Sequence, residues 1–168
     1  MELFSYLASA IATVLGIFEP FGKKMSIVLI LNFLGNLLVG VSYALVSSIS
    51  GAVICFTACI QVVINYFFDL KNKKLPKLLI VIYAIVFLVV NLFAFKSYYD
   101  LFSLAATMAY VLSMAQSDVK KYRFLYAANS FLWITYDLFT QSYGNLWTHI
   151  ILFLSTGIAI AFNKEKLN

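Results

Sequence analysis

Seven apolar stretches follow one another along this chain, and no other feature limits its fold as tightly. They run Leu3–Phe18, Met25–Val46, Ala52–Phe68, Leu78–Phe95, Leu101–Met114, Arg123–Phe139 and Leu146–Phe162. A helix that crosses a bilayer upright needs about 20 apolar residues, and these stretches fall within or just below that range. Lone segments of this length must satisfy their own backbone polar groups in lipid, which requires helices. The alternating pattern of a β-barrel strand is absent. The chain is 63% apolar and 11% charged, against about 25% charged in a typical soluble domain. The sequence therefore predicts an all-α membrane protein with seven transmembrane helices and no separate soluble domain.

The charges agree with seven spans. One set of connections holds Lys23, Lys24, Lys71, Lys73, Lys74, Lys77, Lys120, Lys121, Arg123, Lys164 and Lys166, and the opposite set holds only Lys96. Basic connections stay in the cytoplasm, so the N-terminus is expected outside and the C-terminus inside. Six or eight spans would break the alternation. The net charge of +5 then reads as an orientation signal, and nucleic acid is not expected as a partner. The start, Met-Glu-Leu-Phe-Ser-Tyr, lacks the basic region of a signal peptide, and Glu2 argues for a retained first helix.

An internal repeat is legible. At a shift of 97 positions, Lys23 meets Lys120, Lys24 meets Lys121 and Asn32 meets Asn129, alongside matches such as Ala8 with Ala105 and Val14 with Val111. At a shift of 93, Gly51 meets Gly144 and Lys71 meets Lys164. Three spans are an odd number, so two copies joined directly would be inverted. The fourth span turns the chain round, giving two parallel three-helix repeats joined by an inversion helix (3+1+3). The division is 1–70 for the first repeat, 71–97 for the linking helix and 98–168 for the second. Parallel repeats about an axis along the membrane normal are a known transporter plan. Pro76 suits the start of the fourth helix, and Pro20 ends or kinks the first.

Polar residues gather in stripes. On a helix, Asn129, Trp133, Tyr136, Asp137 and Thr140 share one face. The repeat places Asn32, Asn36, Gly40 and Tyr43 on the related face of the second span. The third span adds Thr57, Gln61 and Asn65, and the fifth adds Ser103, Thr107 and Tyr110. Such residues can simply join helices by hydrogen bonds, each worth about 1 kcal/mol. Two related polar faces also suit a shared cavity, because polar groups at that depth face protein or water. Asn32, Asn36, Tyr43, Gln61, Asn65, Tyr110, Asn129, Trp133, Tyr136 and Asp137 are the candidate binding residues. The amides would hold a cargo by hydrogen bonds, and Trp133 would stack on it. Asp137, read as the only acid well within a span and as lying near the outer surface, would tune charge at the outer gate, with His149 as a partner. Trp147, Tyr98 and Tyr99 read as residues of the outer interface.

No catalytic motif is present, and no enzyme activity, cofactor or metal is expected: there is no Gly-rich phosphate loop, no His-Glu metal helix and no nucleophile elbow. His149 is the only histidine, which excludes a multi-histidine metal site within one chain. Cys55 and Cys59, four residues apart on an apolar helix, read as small packing residues.

Several of these residues also carry a resemblance. Tyr122-Arg123, Asn129, Leu132-Trp133, Tyr136-Asp137 and Tyr143-Gly144, with Asn36-Leu37-Leu38, Tyr43 and Ser50-Gly51-Ala52 in the first half, resemble YgjV-like bacterial inner-membrane proteins over nearly the whole chain. More distantly, Leu132-Trp133 followed by Asp137 is similar to the sixth helix of PnuC-type vitamin-precursor transporters. Like SWEET sugar transporters, those have a 3+1+3 plan. The resemblance implies facilitated diffusion of a small polar or aromatic metabolite, a vitamin precursor or a nucleoside-like molecule, across the inner membrane. The expected partners are the lipid bilayer and that cargo, and a homo-oligomer is compatible with the sequence. The alternative is a non-transporting membrane protein that binds a partner or senses lipid through its basic inner loops.

Overall fold

The computed structural model describes residues 2–45, 49–95, 97–140 and 143–164. Over them the chain forms seven α-helices: α1 Glu2–Phe18, α2 Met25–Leu45, α3 Ile49–Leu70, α4 Lys77–Ala94, α5 Asp100–Met114, α6 Val119–Thr140 and α7 Tyr143–Lys164. A single 3-10 turn, Glu19–Phe21, follows α1. Each helix coincides with one apolar stretch of the sequence. Val46, Lys96 and Lys166, used above to place span ends and charges, lie outside the described residues.

Local chemistry sets the boundaries. Pro20 has no N–H to give and its ring blocks the preceding carbonyl, so α1 tightens into the 3-10 turn. Gly22 closes the turn by donating its N–H to the Glu19 carbonyl at 3.1 Å. A side chain at Gly22 would meet Val28 Cγ2 at 2.7 Å, so the turn needs a glycine to lie against α2. At the end of α3, Asn72 adopts the left-handed conformation at φ 53°. Its N–H reaches the Asp69 carbonyl at 2.8 Å, and the Lys73 N–H reaches Phe68 at 2.9 Å. These two bonds form a Schellman closure, with asparagine in the place often taken by glycine. Pro76 then precedes α4, as expected.

Four helical segments are long and apolar enough to cross a membrane on their own: Phe4–Phe21, Met25–Leu45, Ala52–Leu70 and Tyr143–Phe162. α4 and α5 supply the shorter apolar stretches Lys77–Phe93 and Asp100–Met114. α6 has 22 residues, about 33 Å at 1.5 Å per residue. It is too polar to qualify alone, and its polar side chains turn inward: Arg123, Asn129, Ser130 and Asp137 are all buried.

The helices form a closed ring in chain order. Each packs on the next, and α7 packs back on α1. α2 lies between α1 and α3, and α6 lies between α5 and α7 in the same way. A buried cluster, including Val28, Leu29, Ala58, Val62, Phe87, Val111, Met114 and Tyr122, joins α2 to α6. Polar bonds stitch the helices together. Ser5 and Ser42 hydroxyls meet at 2.7 Å, Thr13 and Thr148 at 3.0 Å, and Ser155 donates to the Ile17 carbonyl at 2.7 Å. On the other side Ser103 donates to Asn91 at 3.0 Å. The outer surface carries large apolar side chains on every helix, among them Phe18, Ile30, Ile60, Leu101, Phe124 and Phe162, with Phe93 90% exposed. A water-facing surface rarely shows an apolar patch of that extent, whereas a lipid-facing one requires it.

Gly40 lies at a close contact between α2 and α3. A Cβ there would meet Phe56 Cε1 at 3.0 Å and Cys55 Cβ at 3.1 Å, whereas none of the described atoms lies within 4 Å of a Cβ at Gly157. Gly40→Leu is expected to destabilise the protein by about 1–3 kcal/mol through overpacking. Gly157→Leu should be close to neutral. Thermal unfolding of the two purified variants in detergent reads the difference, and equal midpoints would refute this account of the α2–α3 contact.

Candidate functional site

A cavity of about 170 Å³ lies inside the ring of helices, and both halves of the chain line it. Seven of the ten candidate residues stand on its wall: Asn32, Asn36, Tyr43, Tyr110, Asn129, Trp133 and Tyr136. Ser103 and Thr107 of the fifth-helix stripe join them. The Asn32 stripe on α2 and the Asn129 stripe on α6 therefore reach the same space.

One end of the cavity is a hydrogen-bond network centred on Glu19. This carboxyl is 2% exposed. Its Oε1 accepts from Asn32 Nδ2 at 2.8 Å and from the Tyr122 hydroxyl, and its Oε2 accepts from the Tyr126 hydroxyl at 3.3 Å. Asn32 passes the chain onward, because its Oδ1 accepts from Tyr110 at 2.7 Å and from Asn36 Nδ2 at 2.8 Å. Beside this cluster, Arg123 Nε donates to the Pro20 carbonyl at 2.6 Å. The turn after α1 is thus tied to α2, directly to α6 and, through Asn32, to α5. Isolated polar groups cost several kcal/mol each in an apolar interior, so a shared network is the form in which they persist there.

The other end is built on α6 and α7. Asp137 Oδ2 and His149 Nδ1 meet at 2.7 Å. Trp133 stacks on the His149 ring at 5.6 Å and 11°, and meets Tyr136 edge to face at 5.5 Å. Tyr136 also hydrogen-bonds to Asp100, which lines the cavity. Trp133 is therefore held from two sides, a preorganised aromatic wall.

The remaining candidates stand elsewhere. Asp137 is 0% exposed and sits behind His149, the residue that lines the cavity. Its burial removes it from water, and the expected pairing with His149 is present. Asn65 donates from Nδ2 to the Met114 carbonyl at 2.9 Å and so joins α3 to α5. Gln61 is buried away from the cavity wall, and neither its Oε1 nor its Nε2 has a partner among the described residues. Trp147 and Tyr98 are exposed. Tyr99 stacks on Phe139 at 4.8 Å, which puts the α4–α5 connection beside the end of α6.

Asp137 is not the only buried acid. Glu19 is another: the 3-10 turn carries the chain on past α1, and Glu19 falls two residues before the end of the apolar segment Phe4–Phe21. In the sequence Glu-Pro reads as a loop. Tyr122 and Tyr126 were equally open to discovery: extended back by two turns, the α6 stripe of Asn129 and Trp133 passes through both.

Asn129 Oδ1 is buried and lacks a partner among the described residues, while Asn129 lines the cavity. An amide oxygen left so is expensive unless something in the cavity donates to it.

His149→Ala would leave the Asp137 carboxyl buried without its partner, and it is expected to cost roughly 3–5 kcal/mol of stability. Adding Asp137→Asn to that variant should recover part of the loss. Unfolding measured on the two single variants and the double variant checks this, and strictly additive effects would refute the coupling.

The chain belongs to the Imp-YgjV family of bacterial inner membrane proteins, whose model matches residues 3–164. No curated protein and no solved structure gives a match.

Proposed function

We propose, with membership of that inner-membrane family as the premise, that the protein is a carrier for a small polar or aromatic metabolite, moving it by facilitated diffusion. The observation that carries this reading is the convergence of Asn32 and Asn129, 97 positions apart, on one cavity lined by both stripes. Related polar faces around a shared hollow suit a site that opens to each side in turn.

In this reading all seven helices cross the membrane. Residues 1–70 and 98–168 are the two parallel repeats, 71–97 supply the inverting helix, and the C-terminus is cytoplasmic. The alternation of basic residues supports that orientation. The Glu19 network and the Arg123–Pro20 bond join the two repeats at the end where the α1–α2 and α5–α6 connections meet. They form a closed gate there, and rocking the repeats apart would break them.

Size narrows the cargo. A cavity of about 170 Å³ compares with a cavity of about 150 Å³ that holds benzene. A single-ring molecule fits the closed form, and a whole nucleoside would need a wider one. Trp133 is the stacking surface, and the Asn32, Asn36 and Asn129 amides fix polar edges. No reaction chemistry is assigned: the polar groups bind and orient, and the reading is not enzymatic.

Purified protein tested against single-ring vitamins, their precursors and sugars should gain thermal stability with one class. Trp133→Ala should lose that gain while its own unfolding midpoint shifts far less than that of His149→Ala. Stabilisation by none of them would end the carrier reading and favour a partner-binding or lipid-sensing membrane protein.

A further inference from the structure

The two acids buried at either end of the cavity are compensated differently. Asp137 has His149 at 2.7 Å. Glu19 has no basic partner among the described residues. Its donors are one amide and two phenols, from Asn32, Tyr122 and Tyr126. Arg123 on α6 donates its Nε to the Pro20 carbonyl and forms no ion pair with Glu19. Among the described residues neither Lys nor Arg lines the cavity, and His149 is the one basic residue on its wall.

A carboxylate removed from water and left without positive charge is costly, and neutral donors offset only part of that cost. Its two oxygens offer about four acceptor directions, and three donors occupy Glu19. Around it stand aromatic faces: Tyr110, Tyr126 and Phe87 line the cavity near the network, and Trp133 and Tyr136 line the other end. Aromatic faces attract cations through their ring quadrupole, most strongly when water is excluded. A carboxyl lacking a counter-charge on a wall lined by aromatic side chains selects for one kind of guest.

We propose that the cavity is selective for small organic cations, molecules of about one ring that bear an ammonium or similar N–H donor group. The charged group pairs with Glu19, and the ring lies among the aromatic side chains. Anionic metabolites are excluded, because no fixed cation would receive them beside an unpaired acid. This deepens the carrier reading and rests on it for the cavity being the cargo site.

The probes are benzylammonium and its neutral counterpart benzyl alcohol, with cyclohexylammonium and cyclohexanol as the saturated pair. Binding to the full chain in detergent micelles is followed by thermal stabilisation and by tryptophan fluorescence. In the native protein each ammonium compound is expected to bind about tenfold or more tightly than its alcohol. Glu19→Gln keeps the shape and removes the charge, and should bring each pair to within about twofold, chiefly by weakening the ammonium. If ammonium and alcohol bind alike to the native protein, as they would were Glu19 carrying a proton of its own, the inference is overturned while a neutral-cargo carrier survives. A preference that persists in full in Glu19→Gln overturns it as well. Binding of neither class overturns it directly, and the wider panel of vitamins and sugars then decides the carrier reading separately.

Discussion

The hydrogen bonds that converge on the Glu19 carboxyl are the constraint on which the rest of the bundle depends. In a soluble protein an acid at the end of a helix can face water. Here the 3-10 turn keeps it inside, 2% exposed, and each of its three donors comes from another helix. Satisfying it therefore fixes α2 and α6 against the end of α1. Asn32 extends the same constraint to α5 through Tyr110. Apolar side chains alone could not do this in lipid, because hydrocarbon outside the bundle is as favourable for them as the interior. Polar groups supply the directionality.

The ring of helices then divides the labour between its faces. Its outside is a belt of Phe, Leu, Ile and Val that suits acyl chains. Its inside holds the serines, threonines and amides. Where these find each other, as in Ser5–Ser42 and Thr13–Thr148, they close the structure. Where they do not, as at Asn129 Oδ1 and the Gln61 amide, buried hydrogen-bonding capacity is left without a partner among the described residues.

The two ends of the cavity differ in kind. Towards Glu19 the contacts cross between the first and the last three helices, so they govern whether the halves can separate. Towards Asp137 the carboxyl–imidazole hydrogen bond and the Trp133–His149 stack lie within α6 and α7, while Thr13 of α1 meets Thr148 of α7, the neighbour of His149, at 3.0 Å. Under the proposed carrier reading, a fixed aromatic wall opposite a breakable polar latch would keep a binding surface formed while access changes, and a guest would shift that equilibrium only by contacting the two arrangements differently.

Much of this was legible beforehand, for a physical reason. Helix formation in lipid depends on one segment at a time, so the apolar runs alone placed all seven helices, and Pro20 and Pro76 set two of their ends. Periodicity on single helices likewise put Asn32, Asn36, Asn129, Trp133 and Tyr136 on shared faces that the structure brings to one cavity. What the sequence could not settle was which faces meet. Gln61 and Asn65 follow the same spacing rule as Asn32 and Asn36, yet α3 turns them away from the cavity wall, with Asn65 against α5. Glu19 looked like the beginning of a loop, because nothing local says that the donors for its carboxyl lie on α2 and on α6, more than a hundred residues away in the latter case. The sequence by itself determined the helices and their polar faces, since those obey short-range backbone rules. Only the tertiary structure decided which acid is buried and which amide stays free, because those outcomes depend on distances between segments that no local pattern encodes.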